Sequence, residues 1–258
     1  YGGVNMLQTL LVFGEGPTDM GRSRNAQAFA CNDDLEVGPM LRLAHRLLLR
    51  HLPDWNAVSF NEENEHAIPS VLVAPAQMKS LVKSSATKLP SKKTKSGYLI
   101  HSKRAAVLGQ LAQQTDSQTT AQLAIYFHDT DGTNSEPHNP QELVQAVNEG
   151  FRASGFAKQG IAMIPQPTSE AWLICSCKPD AYQHCSLLET QLSGNDRSPE
   201  RAPKQVLGQH LGNTDYHRGD LWPVVNAIDL DRMDMPTFNQ LRADLCQGIE
   251  QICGSHTP

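Results

Sequence analysis

The sequence predicts an α/β fold: a mainly parallel sheet flanked by helices, followed by a helical C-terminal portion. Apolar runs bounded by turn residues alternate with stretches of helical periodicity, and this alternation is typical of parallel, doubly wound sheets. The chain has 258 residues, of which 39% are apolar, so it can build one large or two small domains with a core.

Four apolar runs have the length and flanking turn residues of strands: 7–13, 70–74, 121–128 and 160–164. Apolar residues at helical spacing predict helices at 38–52, 101–114, 141–153, 168–175, 202–211, 220–228 and 236–252. We therefore expect residues 6–165 to form the α/β core, with a basic loop inserted at about 78–104. Residues 166–258 are expected to form a helical portion packed on that core.

Charge is distributed unevenly along the chain. The net charge is −5, yet residues 66–115 contain no Asp or Glu and carry eight Lys or Arg. A basic block in an otherwise acidic protein is typical of contact with a phosphate backbone. The alternative is a solvated loop that only keeps the protein soluble. The residues expected to contact nucleic acid are Lys88, Lys92, Lys93, Lys95, Lys103 and Arg104.

The sequence shows neither a secretory signal pattern nor an apolar run of about 18 residues that could span a membrane. We therefore expect a cytoplasmic protein with no membrane partner, whose six cysteines are reduced. A zinc cluster of Cys175, Cys177, His184 and Cys185 is an alternative, but its spacing is not the usual pair of CxxC knuckles.

Two acidic clusters each follow a strand-like run. Glu15 and Asp19 follow the first predicted strand, and Asp129 and Asp131 follow the third. Because ligands bind outside the carboxyl ends of parallel strands, we expect these four side chains to meet at one edge of the sheet. Four carboxylates there would repel one another unless cations neutralised them, and hard oxygen ligands suit Mg²⁺ or Mn²⁺.

Each cluster also has a plainer interpretation. Glu15 and Asp19 are four residues apart and could share the face of a first helical turn, where they would simply complement the helix dipole. Asp129 and Asp131 alternate as at a strand end, so both could lie on one side of the chain, or they could belong to an ordinary Asp-Gly turn.

Together the motifs resemble a known family. An apolar strand ending in Glu15-Gly and a later strand ending in Asp129-Thr-Asp131 resemble the TOPRIM domain of topoisomerases, primases and OLD-family nucleases. The Glu-Gly-x-Thr-Asp19 form is similar to the OLD and RloB-type branch. The segment that contains Glu170-Ala-Trp172 is similar to one in small stand-alone TOPRIM-like proteins of bacterial defence loci.

The resemblance implies a TOPRIM-like, Rossmann-like fold and a metal-dependent nuclease that hydrolyses DNA or RNA with two Mg²⁺ or Mn²⁺ ions. It implies that Glu15 is a metal ligand and acid/base residue and that Asp129 and Asp131 hold a metal ion. Asp19 would serve the second ion, although the family often has Glu there, and Glu170 would be a further ligand.

The resemblance also implies a role for Lys204, which would contact the scissile phosphate or stabilise developing charge, unless it is a plain surface lysine. It implies an effector subunit of an anti-phage defence system, working with a separate ATPase. The chain contains no Walker A motif, so ATP-dependent control would have to come from that partner.

Two other functions stay open. The Asp129-Thr-Asp131-Gly-Thr sequence fits the motif of haloacid-dehalogenase-type phosphatases, with Asp129 as nucleophile and Asp131 as acid/base. That motif normally opens the fold, whereas here it lies halfway along, and it leaves Glu15 and Glu170 unexplained. The second alternative is a non-catalytic subunit that binds nucleic acid or an ATPase without cutting.

Overall fold

The structure is a computed structural model, and it describes residues 9–14, 16, 19–51, 68–86, 96–114, 122–131, 139–193 and 198–253. Over these residues the fold is α/β, with a mostly parallel five-stranded sheet flanked by helices, which confirms the predicted fold class at this level. The chain divides into two compact units. Unit 1 comprises Tyr1–Phe127, Gln141–Met163 and Ala243–Pro258, and unit 2 comprises His128–Pro140 and Ile164–Arg242.

The described strands are β1 (Thr9–Gly14), β2 (Gly21–Ser23), β3 (Phe29–Cys31), β4 (Leu35–Val37), β5 (Ser70–Val73), β6 (Gln122–Phe127) and β7 (Gly160–Met163). The described helices are α1 (Pro39–His51), α2 (Pro75–Ser84), α3 (Leu99–Gln114), α4 (Pro140–Ala153), α5 (Glu170–Cys177), α6 (Leu188–Gln191), α7 (Pro203–Leu211), α8 (Leu221–Ala227) and α9 (Pro236–Cys253). In the described part of the chain, none of these helices combines the length and the apolar character needed to cross a membrane.

The main sheet has the strand order β3-β5-β1-β6-β7. The central strand β1 pairs in parallel with β5 on one side and with β6 on the other, and β7 pairs in parallel with β6. β3 pairs antiparallel with β5 at the edge. Gly14 is opposite Phe127, so β1 and β6 end at the same level of the sheet.

Both central strands are buried along most of their length. Leu10, Val12 and Phe13 in β1 are at most 1% exposed, and β6 is apolar from Leu123 to Phe127. Such continuous apolar runs are typical of parallel strands covered on both faces. The helix α3 contributes to this cover and packs against both strands.

Helix α1 is buried on most of its surface, and its buried residues include the polar side chains of Arg42 and His45. The Nε2 atom of His45 lies 2.8 Å from the hydroxyl of Ser70 at the start of β5, and both side chains are buried. The Ser70 hydroxyl donates to the carbonyl of Ile68, so His45 donates to Ser70. This chain of hydrogen bonds satisfies polar groups that would otherwise be costly inside the core.

The chain does not become helical after Asp19, which differs from the interpretation of Glu15 and Asp19 as neighbours on one helical turn. Asp19 lies in a turn that leads into β2, and its carbonyl accepts a hydrogen bond from the backbone N–H of Met40 at the start of α1. Gly21 follows with φ of +124°, a conformation that favours glycine and ends any helical path.

Unit 2 contains the helices α5 to α8 and the first two turns of α9. α5 packs against α6, α7 and α8. Trp172 in α5 is fully buried, and its ring meets that of Phe238 edge-on with centroids 5.4 Å apart. The predicted helical C-terminal portion is present, but its last segment from Ala243 belongs to unit 1.

A disulfide joins Cys175 to Cys185, so the expectation of reduced thiols is wrong for this pair. The zinc alternative fails as well, because two of its four ligands are consumed by the bond. The chain returns to α5 through a loop in which the N–H of Tyr182 donates to the Cys175 carbonyl. This loop brings the Cα atoms of Cys175 and Cys185 to within 5.3 Å of each other. The spacing of the two cysteines in the sequence does not predict this proximity.

Gly38→Ala should destabilise unit 1, because a Cβ at this position would collide with the backbone carbonyl of Asp19. We expect a loss of about 1–3 kcal/mol in the free energy of unfolding, measured by urea denaturation. Gly97→Ala is the matched control, since a Cβ there meets nothing within 4 Å. Equal stability of the two variants would contradict the close approach of α1 to the turn at Asp19.

Removing the disulfide with Cys175→Ala/Cys185→Ala should lower the free energy of unfolding by about 2–3 kcal/mol, since the bond closes a short loop. A reductant should lower the urea midpoint of the wild type and leave that of the double variant unchanged. Cys246→Ser, which removes a free thiol, controls for the loss of a cysteine. A wild-type midpoint insensitive to reductant would show that the bond is not formed.

Candidate functional site

Asp129, two residues after β6, is held by the start of α5. Its Oδ1 atom accepts a hydrogen bond of 3.0 Å from the backbone N–H of Ser169, which directly precedes α5. A carboxylate that accepts from a backbone N–H at a helix start makes a charge-assisted hydrogen bond and also lies favourably in the helix dipole. The rotamer of Asp129 is thereby fixed relative to α5.

The neighbouring residue Thr130 strengthens the same connection. Its backbone N–H and its hydroxyl both donate to the carbonyl of Pro167, at 3.0 and 3.3 Å. Thr130 is only 2% exposed, so both of its polar groups need partners inside the protein. Three hydrogen bonds therefore join residues 129–130 to residues 167–169.

This connection brings three predicted site residues together within unit 2. Asp131 follows Thr130, and Glu170 follows Ser169, so each of these acids is one residue from a hydrogen-bonded position. Glu170 is buried, whereas Asp129 and Asp131 are partly exposed. Consecutive Cα atoms are about 3.8 Å apart, so the backbone of all three acids lies in one small region.

This region contains oxygen donors of the kind that bind hard divalent cations. Carboxylates and hydroxyls are the ligand types that Mg²⁺ and Mn²⁺ prefer. Thr168, which precedes Ser169, has a buried hydroxyl without a hydrogen-bond partner among the described residues. Within the ranges that the structure describes, however, no three His, Cys, Asp or Glu residues form a group that could hold a metal ion.

The other predicted acids belong to unit 1 or cannot be placed. Asp19 is partly exposed in the turn before β2. Glu15 lies outside the described residues. The meeting of these two acids with Asp129 and Asp131 therefore stays a prediction.

The predicted basic site residues that the structure describes lie on two helices, α7 and α3. Lys204 is exposed in the first turn of α7, the helix that packs against α5. Lys103 is exposed on α3, whereas Arg104 is half-buried, with its guanidinium 5.8 Å from the ring centre of Phe13. The remaining predicted nucleic-acid contacts lie outside the described residues: Lys88, Lys92, Lys93 and Lys95.

A buried network fixes α5 from its other side. Thr237 donates through its backbone N–H and its hydroxyl to the Oε1 atom of Glu189, at 3.0 and 2.6 Å. The same hydroxyl accepts from the indole N–H of Trp172 at 3.0 Å. Burial raises the pKa of the Glu189 carboxyl, and the hydrogen bonds from Thr237 offset part of that effect.

Sequence reasoning did not identify Ser169, Thr130 or Thr168. The Thr168-Ser169-Glu170 sequence has the polar residues that often precede a helix, which is a signal for the start of α5. It does not reveal that Ser169 uses its backbone N–H to bind a carboxylate forty residues earlier in the chain.

Comparison with protein-family models, with curated proteins and with solved structures gives no match to this chain. Function is therefore inferred from the geometry of the residues, together with the resemblance of the short motifs.

Glu189→Gln should change how stability depends on pH. Because the pKa of Glu189 is raised in the folded protein, the protonated carboxyl stabilises the folded state. This contribution is fully present below the ordinary pKa of 4.5. That contribution is lost as the pH rises through the folded-state pKa. Gln keeps an acceptor for Thr237 and cannot ionise, so the stability of the wild type relative to the variant should fall across this range.

The measurement is urea denaturation followed by tryptophan fluorescence at several pH values. Glu200→Gln, which removes an exposed carboxylate from unit 2, controls for the loss of one negative charge. A stability difference between wild type and Glu189→Gln that is constant with pH would contradict the raised pKa.

Proposed function

We propose that this protein is a divalent-metal-dependent nuclease that hydrolyses phosphodiester bonds in DNA or RNA. The observation that carries the proposal is the hydrogen bond from the Ser169 N–H to Asp129, because it assembles Asp129, Asp131 and Glu170 in one region. These acids are the unit 2 part of the ligand set that the TOPRIM resemblance implies.

The strand order supports the same assignment. The chain leaves β1 toward β5 on one side of the sheet and leaves β6 toward β7 on the other. Ligands of open α/β sheets bind where such connections diverge, outside the carboxyl ends of the strands. Glu15 follows β1 directly in the sequence, and Asp129 follows β6 by two residues. A TOPRIM-like core is therefore the fold assignment that we propose.

In the proposed mechanism, Asp129, Asp131 and Glu170 would each contribute a ligand to Mg²⁺ or Mn²⁺ together with Glu15, because among the described residues these three acids do not by themselves form a group that could hold the ion. The bound ion would polarise the phosphodiester, lower the pKa of the attacking water and offset charge on the leaving oxygen. Ser169 acts indirectly, since its N–H orients the carboxylate of Asp129. Lys204 would contact a phosphate oxygen, because its ammonium is exposed at the positive end of α7.

Two further roles come from the sequence alone. Glu15 would be a ligand and the acid/base residue, and Asp19 would serve a second ion. The basic segment that includes Lys103 would bind the nucleic-acid backbone. We also propose, from the resemblance, that the protein is the effector of a bacterial anti-phage system and works with a separate ATPase.

Asp129→Asn and Glu170→Gln should each lower cleavage of supercoiled plasmid or labelled RNA by more than about 100-fold in Mg²⁺ or Mn²⁺, because each removes a carboxylate needed to hold the ion. Glu15→Gln should do the same if the sequence-based assignment is correct. EDTA should abolish cleavage by the wild type. Glu200→Gln, an exposed acid of unit 2, should cut like the wild type.

Other outcomes would replace the proposal. Cleavage that survives Asp129→Asn would show that this acid is not in the site. Hydrolysis of p-nitrophenyl phosphate through Asp129, without cleavage of nucleic acid, would favour the phosphatase. If neither substrate reacts, even together with a co-purifying ATPase, the protein is a non-catalytic subunit.

A further inference from the structure

Helix α2 has an exposed basic face that the sequence-based list of nucleic-acid contacts did not include. Met78 is its buried residue, and it anchors the helix to unit 1. The opposite side carries Lys79, Ser80, Lys83 and Ser84, all exposed, and we call these four residues the α2 lysine face. Lys79 and Lys83 are one helical turn apart, so their side chains are neighbours on the surface.

The α2 lysine face has no acidic counterpart nearby in the sequence. Neither α2 nor the helix α3 packed against it contains an Asp or Glu, and α3 adds the exposed Lys103. In the part of the chain that the structure describes, Lys79 and Lys83 form no salt bridge. Two like charges four residues apart weaken a helix, and the helix dipole favours only Lys83, which lies in the last turn.

We propose that the α2 lysine face is a docking surface for the phosphate backbone of a nucleic acid. This rests on the proposed function, which makes a nucleic acid the polyanion that the protein meets. Four residues of helix advance about 6 Å, so Lys79 and Lys83 span one or two phosphates of a strand, which follow at about 3.4 Å along the axis.

The side chains of this face favour backbone contact over base readout. Lysine is a mobile point charge that suits a phosphate, whereas bases are read by bidentate Arg, Asn or Gln or by stacking on aromatic rings. The α2 lysine face offers only lysines and serines. Binding there should therefore be insensitive to sequence and strongly dependent on salt.

A membrane surface fits this face less well. Helices that bind lipid surfaces combine their lysines with bulky apolar side chains that enter the bilayer. The exposed residues of α2 are Pro75, Ala76 and the α2 lysine face. In addition, the chain outside residues 66–115 is strongly acidic, so an extended anionic surface would repel most of the protein.

The test is a binding measurement without cleavage. Fluorescence anisotropy of a labelled DNA duplex and of a labelled single-stranded RNA is recorded in EDTA, with NaCl varied from about 50 to 200 mM. The wild type is compared with Lys79→Gln/Lys83→Gln. The matched control is Arg152→Gln/Lys158→Gln, which removes the same charge from two exposed positions of unit 1 outside this region.

For the duplex, Lys79→Gln/Lys83→Gln should reduce the slope of log K against log salt by about 1.8, or roughly 0.9 for each lost phosphate contact. The control pair should keep the wild-type slope, and all three proteins should share one unfolding midpoint. Equal slopes for the two double variants would overturn the proposal. A wild type that binds neither probe would also overturn it. So would a result in which Lys79 and Lys83 affect only the binding of anionic phosphatidylserine vesicles or of an acidic protein.

This outcome is independent of the nuclease test. If the two double variants have equal salt slopes but metal-dependent cleavage is intact, the docking surface is rejected and the nuclease proposal stands. Salt-dependent binding through Lys79 and Lys83 without any cleavage would remove the nuclease and leave a nucleic-acid-binding subunit.

Discussion

Six consecutive residue pairs join β1 to β6 in parallel, and the rest of unit 1 depends on this pairing. Parallel neighbours cannot be joined by a tight turn, so the chain between them must cross over. That crossover supplies β5, which satisfies the other edge of β1, and it includes the helices α1, α2 and α3. Since the two central strands are buried, a shift of register would place a polar flank in the core.

The candidate site depends on a second connection, in which Asp129 and Thr130 are bonded to Pro167 and Ser169. A hydrogen bond between a carboxylate and an amide contributes about 1.5–3 kcal/mol, so this short contact is a substantial restraint on the segment after β6. On its other side α5 is held by the hydrogen bonds among Trp172, Thr237 and Glu189. A helix fixed at both places can hold Glu170 in a constant position, which the proposed role as a metal ligand would require.

Acidic and basic residues are concentrated in different parts of this chain. Acidic residues lie in the two segments that contain Asp129 and Glu170 and are joined by hydrogen bonds, whereas α2 and α3 contain only basic charged residues. The proposed polyanionic substrate would need both, because carboxylates without a cation repel it and lysines alone do not activate water. The division explains how a protein with a net charge of −5 could still bind a nucleic acid, through a local rather than an overall positive field.

The amino-acid pattern alone predicted the fold class, the strands β1, β5, β6 and β7 and most of the helices, because hydrophobic periodicity records which face of an element is buried. It did not predict α2, which lies mostly in the segment 78–104 that was expected to be a loop, because this helix buries only Met78 and so shows little periodicity. The resemblance of the short motifs indicated Asp129 and Glu170, whose roles as metal ligands stay a prediction. The amino-acid pattern could not predict β2, β3 and β4, since three-residue strands are too short to show a period and exist only through their partners. The Cys175–Cys185 bond and the contact of Asp129 with Ser169 were likewise decided by tertiary structure, because they join residues that only the folded path of the chain brings together.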